Sequence, residues 1–173
     1  MIFLTIAGVL FLMNVKDGKK SAYGLDAIFK KYAAQYGLDW LMLKSICANE
    51  SSLGTHPSVV IGLNYPYDIE ASKSSDGKSW GIMQVTIPTA QDFDISATPM
   101  KLNDPEYSVK IAAQFIAWLS IRYKTTDPRR NEWIVKSYNQ GVGNTAKEIS
   151  GQISGYAGEY WSRYQRNYTK YAA

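Results

Sequence analysis

Residues 41–54 read LMLKSICANESSLG, and this stretch decides how the rest of the chain is interpreted. Its pattern is that of a helix that ends at a glycine stop signal. Leu43, Ile46, Cys47 and Glu50 fall on one face of that helix, the last three at offsets of 3, 4 and 7 from the first. A carboxylate at the rim of an apolar face loses solvation, which raises its pKa and gives an acid that keeps its proton near neutral pH. The helix alone leaves one alternative open, a glutamate exposed at a fraying helix end.

Length and composition predict one globular domain without a cysteine or histidine metal site. The chain has 173 residues, of which 46% are hydrophobic and 20% are charged, as in folded rather than disordered proteins. A single cysteine, Cys47, excludes an intrachain disulfide and a cysteine metal cluster, and a single histidine, His56, excludes a histidine metal site. A catalytic pair with histidine would have to use His56, which precedes Pro57 in a turn-like stretch. Because Cys47 lies on the apolar stripe, we expect it to be a buried structural thiol.

The charge of the chain is unevenly distributed. The net charge is +4, but residues 121–173 carry +5 and the first 120 residues carry −1. A basic C-terminal part indicates an anionic partner, such as nucleic acid, lipid headgroups or an acidic polymer, or else a solvated basic face. No recognised nucleic-acid-binding motif accompanies the charge, so we expect no specific nucleic-acid partner.

Two regions are predicted, residues 1–21 and residues 22–173. Residues 1–13 are almost entirely apolar. A run of this length is too short to cross a bilayer comfortably, and it suits a secretory signal, an uncleaved anchor or a membrane-penetrating segment. A buried core helix is the alternative. We expect residues 1–14 to be able to contact a membrane, and a short linker to lead into the globular domain. No heptad run or internal repeat occurs, and the pattern indicates no particular oligomeric state.

The globular domain is predicted to be mainly α. Asp39 is a plausible N-cap for the helix that carries Glu50, and Asn103-Asp104-Pro105 is a strong helix start. A long loop or a small β element is expected at about residues 54–80. The other expected helices are one that ends near Gly37, two at 131–138 and 143–150, and one at about 158–171.

Three short segments form a pattern in this order along the chain. They are Glu50-Ser51-Ser52-Leu53, the run GIMQV at 81–85 and the run SYNQG at 137–141. Glu50 and Gln84 are 34 residues apart, and Gln84 and Tyr138 are 54 residues apart. Together the segments resemble the lytic transglycosylases of the goose-type lysozyme-like superfamily, over about residues 24–171. The run DGKSWGIMQV at 76–85 looks most like the small transglycosylases that accompany secretion systems, and like phage-encoded relatives.

The resemblance implies a lysozyme-like domain that cleaves the β-1,4 bond between N-acetylmuramic acid and N-acetylglucosamine in peptidoglycan. In that family the bond is broken without water and a 1,6-anhydro-muramoyl end is left. One carboxylate serves first as general acid and then as general base, and in this chain it would be Glu50. The family works without a cofactor, and its partner is the peptidoglycan glycan strand. The implied location is the cell envelope, either periplasmic or membrane-anchored, or the virion if the chain is phage-encoded.

The resemblance also implies a set of substrate-binding residues. The matching positions are Ser51, Met83, Gln84, Tyr138, Asn139 and Tyr160. For Met83 and Tyr138 the alternative is core packing, and for Gln84 it is a surface amide. Tyr160 belongs to a series of tyrosines that recurs every four residues from Tyr156 to Tyr168, and such a stripe is more often packing than binding surface.

Two other functions stay open. Asp68, Glu70 and Asp76 lie in the long loop, and if one of them held a water molecule the reaction would be hydrolysis, as in a goose-type muramidase. The chain could also be a non-catalytic cell-wall-binding or virion structural protein, which would share the groove and its aromatic residues but would not need Glu50.

Overall fold

The computed structural model describes residues 24–57, 59, 73–74 and 77–173. Within these ranges it defines the bounds of eight helices and one two-stranded sheet, which confirms the mainly α prediction. In chain order the elements are α1 Leu25–Tyr36, α2 Trp40–Ser51, β1 Ser79–Trp80, β2 Val85–Thr86, α3 Ile87–Gln91, α4 Pro99–Asn103, α5 Pro105–Arg122, α6 Arg130–Gln140, α7 Val142–Ile149 and α8 Gly158–Ala172.

Local capping residues set the helix boundaries. Asp39 accepts a hydrogen bond of 2.9 Å from the backbone N–H of Leu41, as the N-cap prediction for α2 requires. Asp104 does the same for α5, accepting from the N–H of Tyr107 at 2.6 Å. α1 ends at Gly37, whose φ of 65° is the left-handed conformation that glycine adopts most readily. The expected ends of these helices are therefore confirmed.

The core lies between α2 and the helices that pack on it. α2 packs against α8 and α1, and α1 packs against α5. The largest fully buried side chains are Leu25, Phe29, Leu43, Ile46, Ile82, Met83, Leu102, Val109, Ile111, Ile116, Leu119 and Ile134. Burying each apolar side chain of this size contributes about 1.5–3 kcal/mol, so the shared core fixes α2, the helix of Glu50, firmly in place.

The hairpin of β1 and β2 packs against α4 and α5. β1 and β2 are antiparallel, and the paired residues are Ser79 with Thr86 and Trp80 with Val85. The strand β1 falls at the end of the range in which a small β element was expected, and most of that range lies outside the described residues. Gly81 opens the turn with a φ of 74°, and a Cβ atom there would lie only 1.9 Å from the backbone oxygen of Leu102. Glycine at this position is what lets the hairpin approach the helices.

The tyrosine stripe, Tyr156 to Tyr168, differs from its prediction at its first member. α8 begins at Gly158, so Tyr156 precedes the helix, and 67% of its surface is exposed. Tyr160 and Tyr164 are buried against the core. Tyr168 is half-buried, and its hydroxyl donates a hydrogen bond of 2.6 Å to Asp39. The stripe is thus a packing face of α8, as the alternative interpretation held for most of its members.

Residues 1–14, for which membrane contact was predicted, lie outside the described residues. In the part of the chain that the structure describes, no helix has both the length and the apolar character needed to cross a membrane.

Candidate active site

Glu50 lies in the last turn of α2, half-buried above a fully buried face of Leu43, Ile46 and Cys47. Burial raises the pKa of the Glu50 carboxyl to about 7, because removing a carboxylate from water disfavours its charged form. This placement agrees with the prediction that Glu50 is a poorly solvated carboxylate. It does not fit the alternative, a glutamate exposed at a fraying helix end. A carboxyl group with such a pKa can give up a proton and take one back near neutral pH.

Tyr160, on the first turn of α8, is the direct partner of Glu50. Its hydroxyl donates a hydrogen bond of 2.5 Å to Oε1 of Glu50. This bond and the positive charge of Arg163 both lower the pKa of Glu50, but the effect of burial is larger. The pKa of Tyr160 itself is well above its usual value, because the side chain is buried beside Glu50, so the phenol stays neutral and remains a donor.

Tyr138 connects the end of α6 to the hairpin next to Glu50. Its hydroxyl donates a hydrogen bond of 2.7 Å to the backbone oxygen of Met83, and its ring packs on Phe115 with the ring centroids 5.5 Å apart. Burial raises the pKa of Tyr138, and the nearby charge of Glu50 adds to the effect. Glu50 is therefore flanked by two neutral phenols, one on α6 and one on α8.

Gln84 and Asn139 are the predicted binding residues whose side chains reach solvent. Gln84 is half-buried and closes the hairpin turn, where its Nε2 donates a hydrogen bond of 2.8 Å to the backbone oxygen of Gly81. Its φ of 48° is left-handed, which costs a non-glycine residue about 1–2 kcal/mol. Asn139 is exposed on the last turn of α6, directly after Tyr138.

Ser51 and Met83 lie in the interior instead, which corrects their predicted role as side chains that line a groove. The Ser51 hydroxyl is buried, donates a hydrogen bond of 2.7 Å to the backbone oxygen of Ile82, and accepts one of 2.9 Å from the N–H of Gly54. The Met83 side chain is fully buried. Only its backbone faces the site, through the bond from Tyr138. Both residues fix the hairpin against its neighbours and do not offer a side chain to a ligand.

Cys47 is the buried structural thiol that its position on the stripe predicts. It is fully buried, and its thiol donates a hydrogen bond of 3.5 Å to the backbone oxygen of Ile82. Burial raises the pKa of the thiol to about 12, so the nucleophilic thiolate does not form near neutral pH. Cys47 and Ser51 therefore tether the helix of Glu50 to the hairpin of Gln84.

Two amide side chains that the sequence did not indicate support the site. Asn49 donates a hydrogen bond of 2.9 Å to the backbone oxygen of Tyr160 and accepts one of 2.8 Å from Asn167. Gln140 binds the chain just before α8. Asn49 is adjacent to Glu50 in the sequence, and Gln140 lies within the SYNQG run, but a single amide carries no periodic signal that predicts such contacts.

The described part of the chain offers Glu50 no carboxylate partner. The groups that shift its pKa there are Tyr160 and Arg163, and no carboxylate is among them. Asp68, Glu70 and Asp76, the predicted candidates for a second acid, lie outside the described residues. Within the described ranges, no group of three or more histidine, cysteine or acidic side chains is placed to hold a metal ion.

Comparison with known proteins agrees with the geometry. The family model for the transglycosylase SLT domain matches residues 27–157. The match includes Glu50, Gln84, Tyr138 and Asn139, and Tyr160 follows just beyond its end. No curated protein matches the chain.

Proposed function

Because the chain belongs to the transglycosylase SLT domain family, which acts on peptidoglycan, we propose that it is a lytic transglycosylase with Glu50 as its acid and base. The bond cleaved is the β-1,4 bond between N-acetylmuramic acid and N-acetylglucosamine, and the product carries a 1,6-anhydro-muramoyl end. The observation that carries this proposal is the half-buried Glu50, whose pKa of about 7 suits both proton transfers.

In the first step the neutral carboxyl group of Glu50 gives its proton to the glycosidic oxygen. The bond from C1 to that oxygen breaks, the N-acetylglucosamine side leaves as an alcohol, and C1 becomes electron-poor. The carbonyl oxygen of the sugar's own N-acetyl group stabilises C1, in the manner of substrate-assisted glycosidases. Burial favours this step, since it keeps the carboxyl group protonated until the substrate takes the proton.

In the second step the Glu50 carboxylate removes the proton from the C6 hydroxyl of the same muramoyl residue. The C6 oxygen then attacks C1, which closes the 1,6-anhydro ring and returns the proton to Glu50. Tyr160 supports this step because its hydroxyl donates to Oε1 of Glu50 and stabilises the carboxylate between the two transfers. One carboxylate is enough for the whole cycle.

The substrate strand is proposed to lie along the exposed side of the hairpin and the end of α6. Gln84 and Asn139 are there to hydrogen-bond sugar hydroxyl and acetamido groups, and Tyr138 borders the position of the acetamido group. Arg163, Arg166 and Lys170 are exposed on α8, and the charge of Arg163 acts on Glu50. Their positive charges favour the carboxylates of peptidoglycan stem peptides.

Residues 1–14 are proposed to hold the enzyme at a membrane next to the wall, because an apolar segment of this kind inserts its side chains at a bilayer surface. Removal of these residues should release the protein from sedimented membranes while the purified enzyme still cleaves peptidoglycan. Retention of the shortened protein on the membranes would contradict this part of the proposal.

The reaction is tested by digesting purified peptidoglycan and identifying the products by mass spectrometry. The expected muropeptides carry anhydro ends and are lighter than hydrolysed ones by one water molecule. Reducing ends alone would show a muramidase and overturn the transglycosylase assignment.

The acid is tested in the same assay with Glu50→Gln, which should stop cleavage while the protein still sediments with peptidoglycan. Glu159→Gln, a change at an exposed carboxylate on α8, is the matched control and should cleave normally. Cleavage by Glu50→Gln at the normal rate would exclude Glu50 as the acid. A wild-type chain that binds the wall and cleaves nothing would indicate a non-catalytic binding protein.

A further inference from the structure

The N-terminus of α8 is held by a side chain from another helix. No side chain caps α8 locally at Ala157. Instead, Oε1 of Gln140 accepts hydrogen bonds from the backbone N–H groups of Tyr156, at 3.2 Å, and Ala157, at 3.1 Å. Only 4% of the Gln140 surface is exposed, so water does not compete for these bonds. Gln140 therefore fixes the point at which the chain enters α8.

The other end of the Gln140 amide fixes its orientation. Its Nε2 donates hydrogen bonds to Oε2 of Glu148, at 2.7 Å, and to Oγ1 of Thr145, at 3.2 Å. Glu148 is held in turn by Lys136, whose Nζ lies 2.5 Å from Oε1 of Glu148. Because the amide nitrogen must face the carboxylate, the amide oxygen must face α8.

Gln140 lies between the two sides of the site. Tyr138 is two residues before it on α6, and Tyr160 is three residues after Ala157 on the first turn of α8. We propose that Gln140 is a positioning residue, which holds the start of α8 so that the hydroxyl of Tyr160 meets Glu50. Asn49 holds the same turn from the other side, through its bond to the backbone oxygen of Tyr160.

The role of Gln140 in catalysis rests on the proposed function, but its effect on Glu50 can be measured without substrate. Among the described residues, the ionisable groups that interact with Glu50 are Tyr160 and Arg163 on α8, Tyr138 on α6 and Cys47 on its own helix. Gln140 is uncharged and acts on Glu50 through the position of Tyr160. If the start of α8 shifts, Glu50 loses a hydrogen bond that favours its charged form, so its pKa should rise.

The experiment follows the carboxyl carbon of Glu50 by NMR during a pH titration, in protein labelled with ¹³C-glutamate. Gln140→Leu should raise the pKa of Glu50 and lower kcat/KM about 10- to 100-fold, as expected for a small displacement in a catalytic site. In a Tyr160→Phe background the same substitution should move the titration little further, because the hydroxyl through which it acts is already gone. Thr98→Ala, which removes the N-cap of α4, is the control for a loss of stability and should leave the titration unchanged.

A reciprocal exchange tests the proposal if Gln140→Leu does not fold. Gln140→Glu alone places a carboxylate next to Glu148 and should disturb the start of α8. Combining it with Glu148→Gln restores an amide–carboxylate pair with the same net charge and keeps an acceptor for the two backbone N–H groups. The double variant should titrate as the wild type does.

The proposal is overturned if a folded Gln140→Leu protein gives the wild-type Glu50 titration, or if its shift is equally large in the Tyr160→Phe background. It is also overturned if the double exchange regains the wild-type melting temperature but not the wild-type titration. Failure of the proposed function would look different. The wild type would then release no anhydro product, whatever the titrations show.

Discussion

The hydroxyl of Tyr160 donates a hydrogen bond of 2.5 Å to Oε1 of Glu50, although the two residues are 110 positions apart in the chain. The bond opposes the effect of burial on the Glu50 carboxyl, and the resulting pKa of about 7 lies between that of a solvated glutamate and that of a fully desolvated one. The site therefore holds a carboxyl group that is close to half-protonated at neutral pH.

Tyr160→Phe should raise the pKa of Glu50 further. The substitution keeps the buried ring but removes a hydrogen bond that favours the carboxylate, so burial acts with less opposition. The alkaline limit of activity should move to higher pH, because the neutral acid persists to higher pH. The kcat at neutral pH should fall, because the carboxylate that forms between the two proton transfers loses its hydrogen bond from Tyr160. The pH profile of peptidoglycan cleavage gives both results. Tyr164→Phe, the control, removes a hydroxyl one turn further along α8 and should leave the pH profile unchanged. A pH profile that Tyr160→Phe does not change would contradict the role of the bond.

The stability of the protein should fall as pH rises through the Glu50 titration. The folded pKa of about 7 is above the ordinary value of 4.5, so the contribution is fully present below pH 4.5 and is lost as pH rises through about 7. Glu50→Gln has no charge to bury and should be more stable than the wild type at pH 8, by about 1–3 kcal/mol. Urea denaturation of both proteins at pH 5 and pH 8 measures the difference. If the difference is the same at the two pH values, the Glu50 pKa is not raised.

Gly81→Ala should destabilise the protein strongly, by about 3 kcal/mol or more. The new Cβ would overlap the backbone oxygen of Leu102, and the φ of 74° would be strained for alanine. The control is Gly143→Ala in α7, where a Cβ meets no atom within 4 Å and alanine favours the helix. Thermal melting of the two variants should therefore show opposite shifts, and a small effect of Gly81→Ala would mean that the hairpin can move away from α4.

Lys136→Met should cost about 3 kcal/mol of unfolding free energy. The Lys136 side chain is only 7% exposed and forms ion pairs with Glu132 and Glu148. Its removal takes the paired cation from Glu148 and leaves Glu132 with Arg129 alone. Lys31→Met is the matched control, because the ion pair of Lys31 with Glu106 is at the surface, where 58% of the lysine side chain is exposed. Chemical denaturation should show a clear loss for the first substitution and little for the second. Equal losses would show that the buried network is not responsible.

Features set by neighbouring residues were predictable from the sequence. The stripe of Leu43, Ile46 and Cys47 under Glu50 follows from helical periodicity alone, since residues three and four apart share a face. The caps Asp39 and Asp104 follow from the preference of aspartate for the N-cap. These features needed no knowledge of distant contacts.

Features set by distant contacts were not predictable in the same way. Ser51 is next to Glu50 in the sequence, yet one step along a helix turns a side chain by about 100°, and it points to the hairpin instead of the site. Nothing local to Met83 shows that its side chain is buried in the core. The roles of Asn49 and Gln140 depend on α8, which comes late in the chain and has no sequence signal that links it to either residue.

The bond between Tyr160 and Glu50 also has a consequence for biosynthesis. A ribosome makes α2 well before α8, so the partner of the Glu50 carboxyl belongs to the last described helix to be made. The bond between Glu50 and Tyr160 therefore forms only when the last described helix packs against α2. A nascent chain that ends before α8 would hold Glu50 and the whole hairpin and still lack this bond.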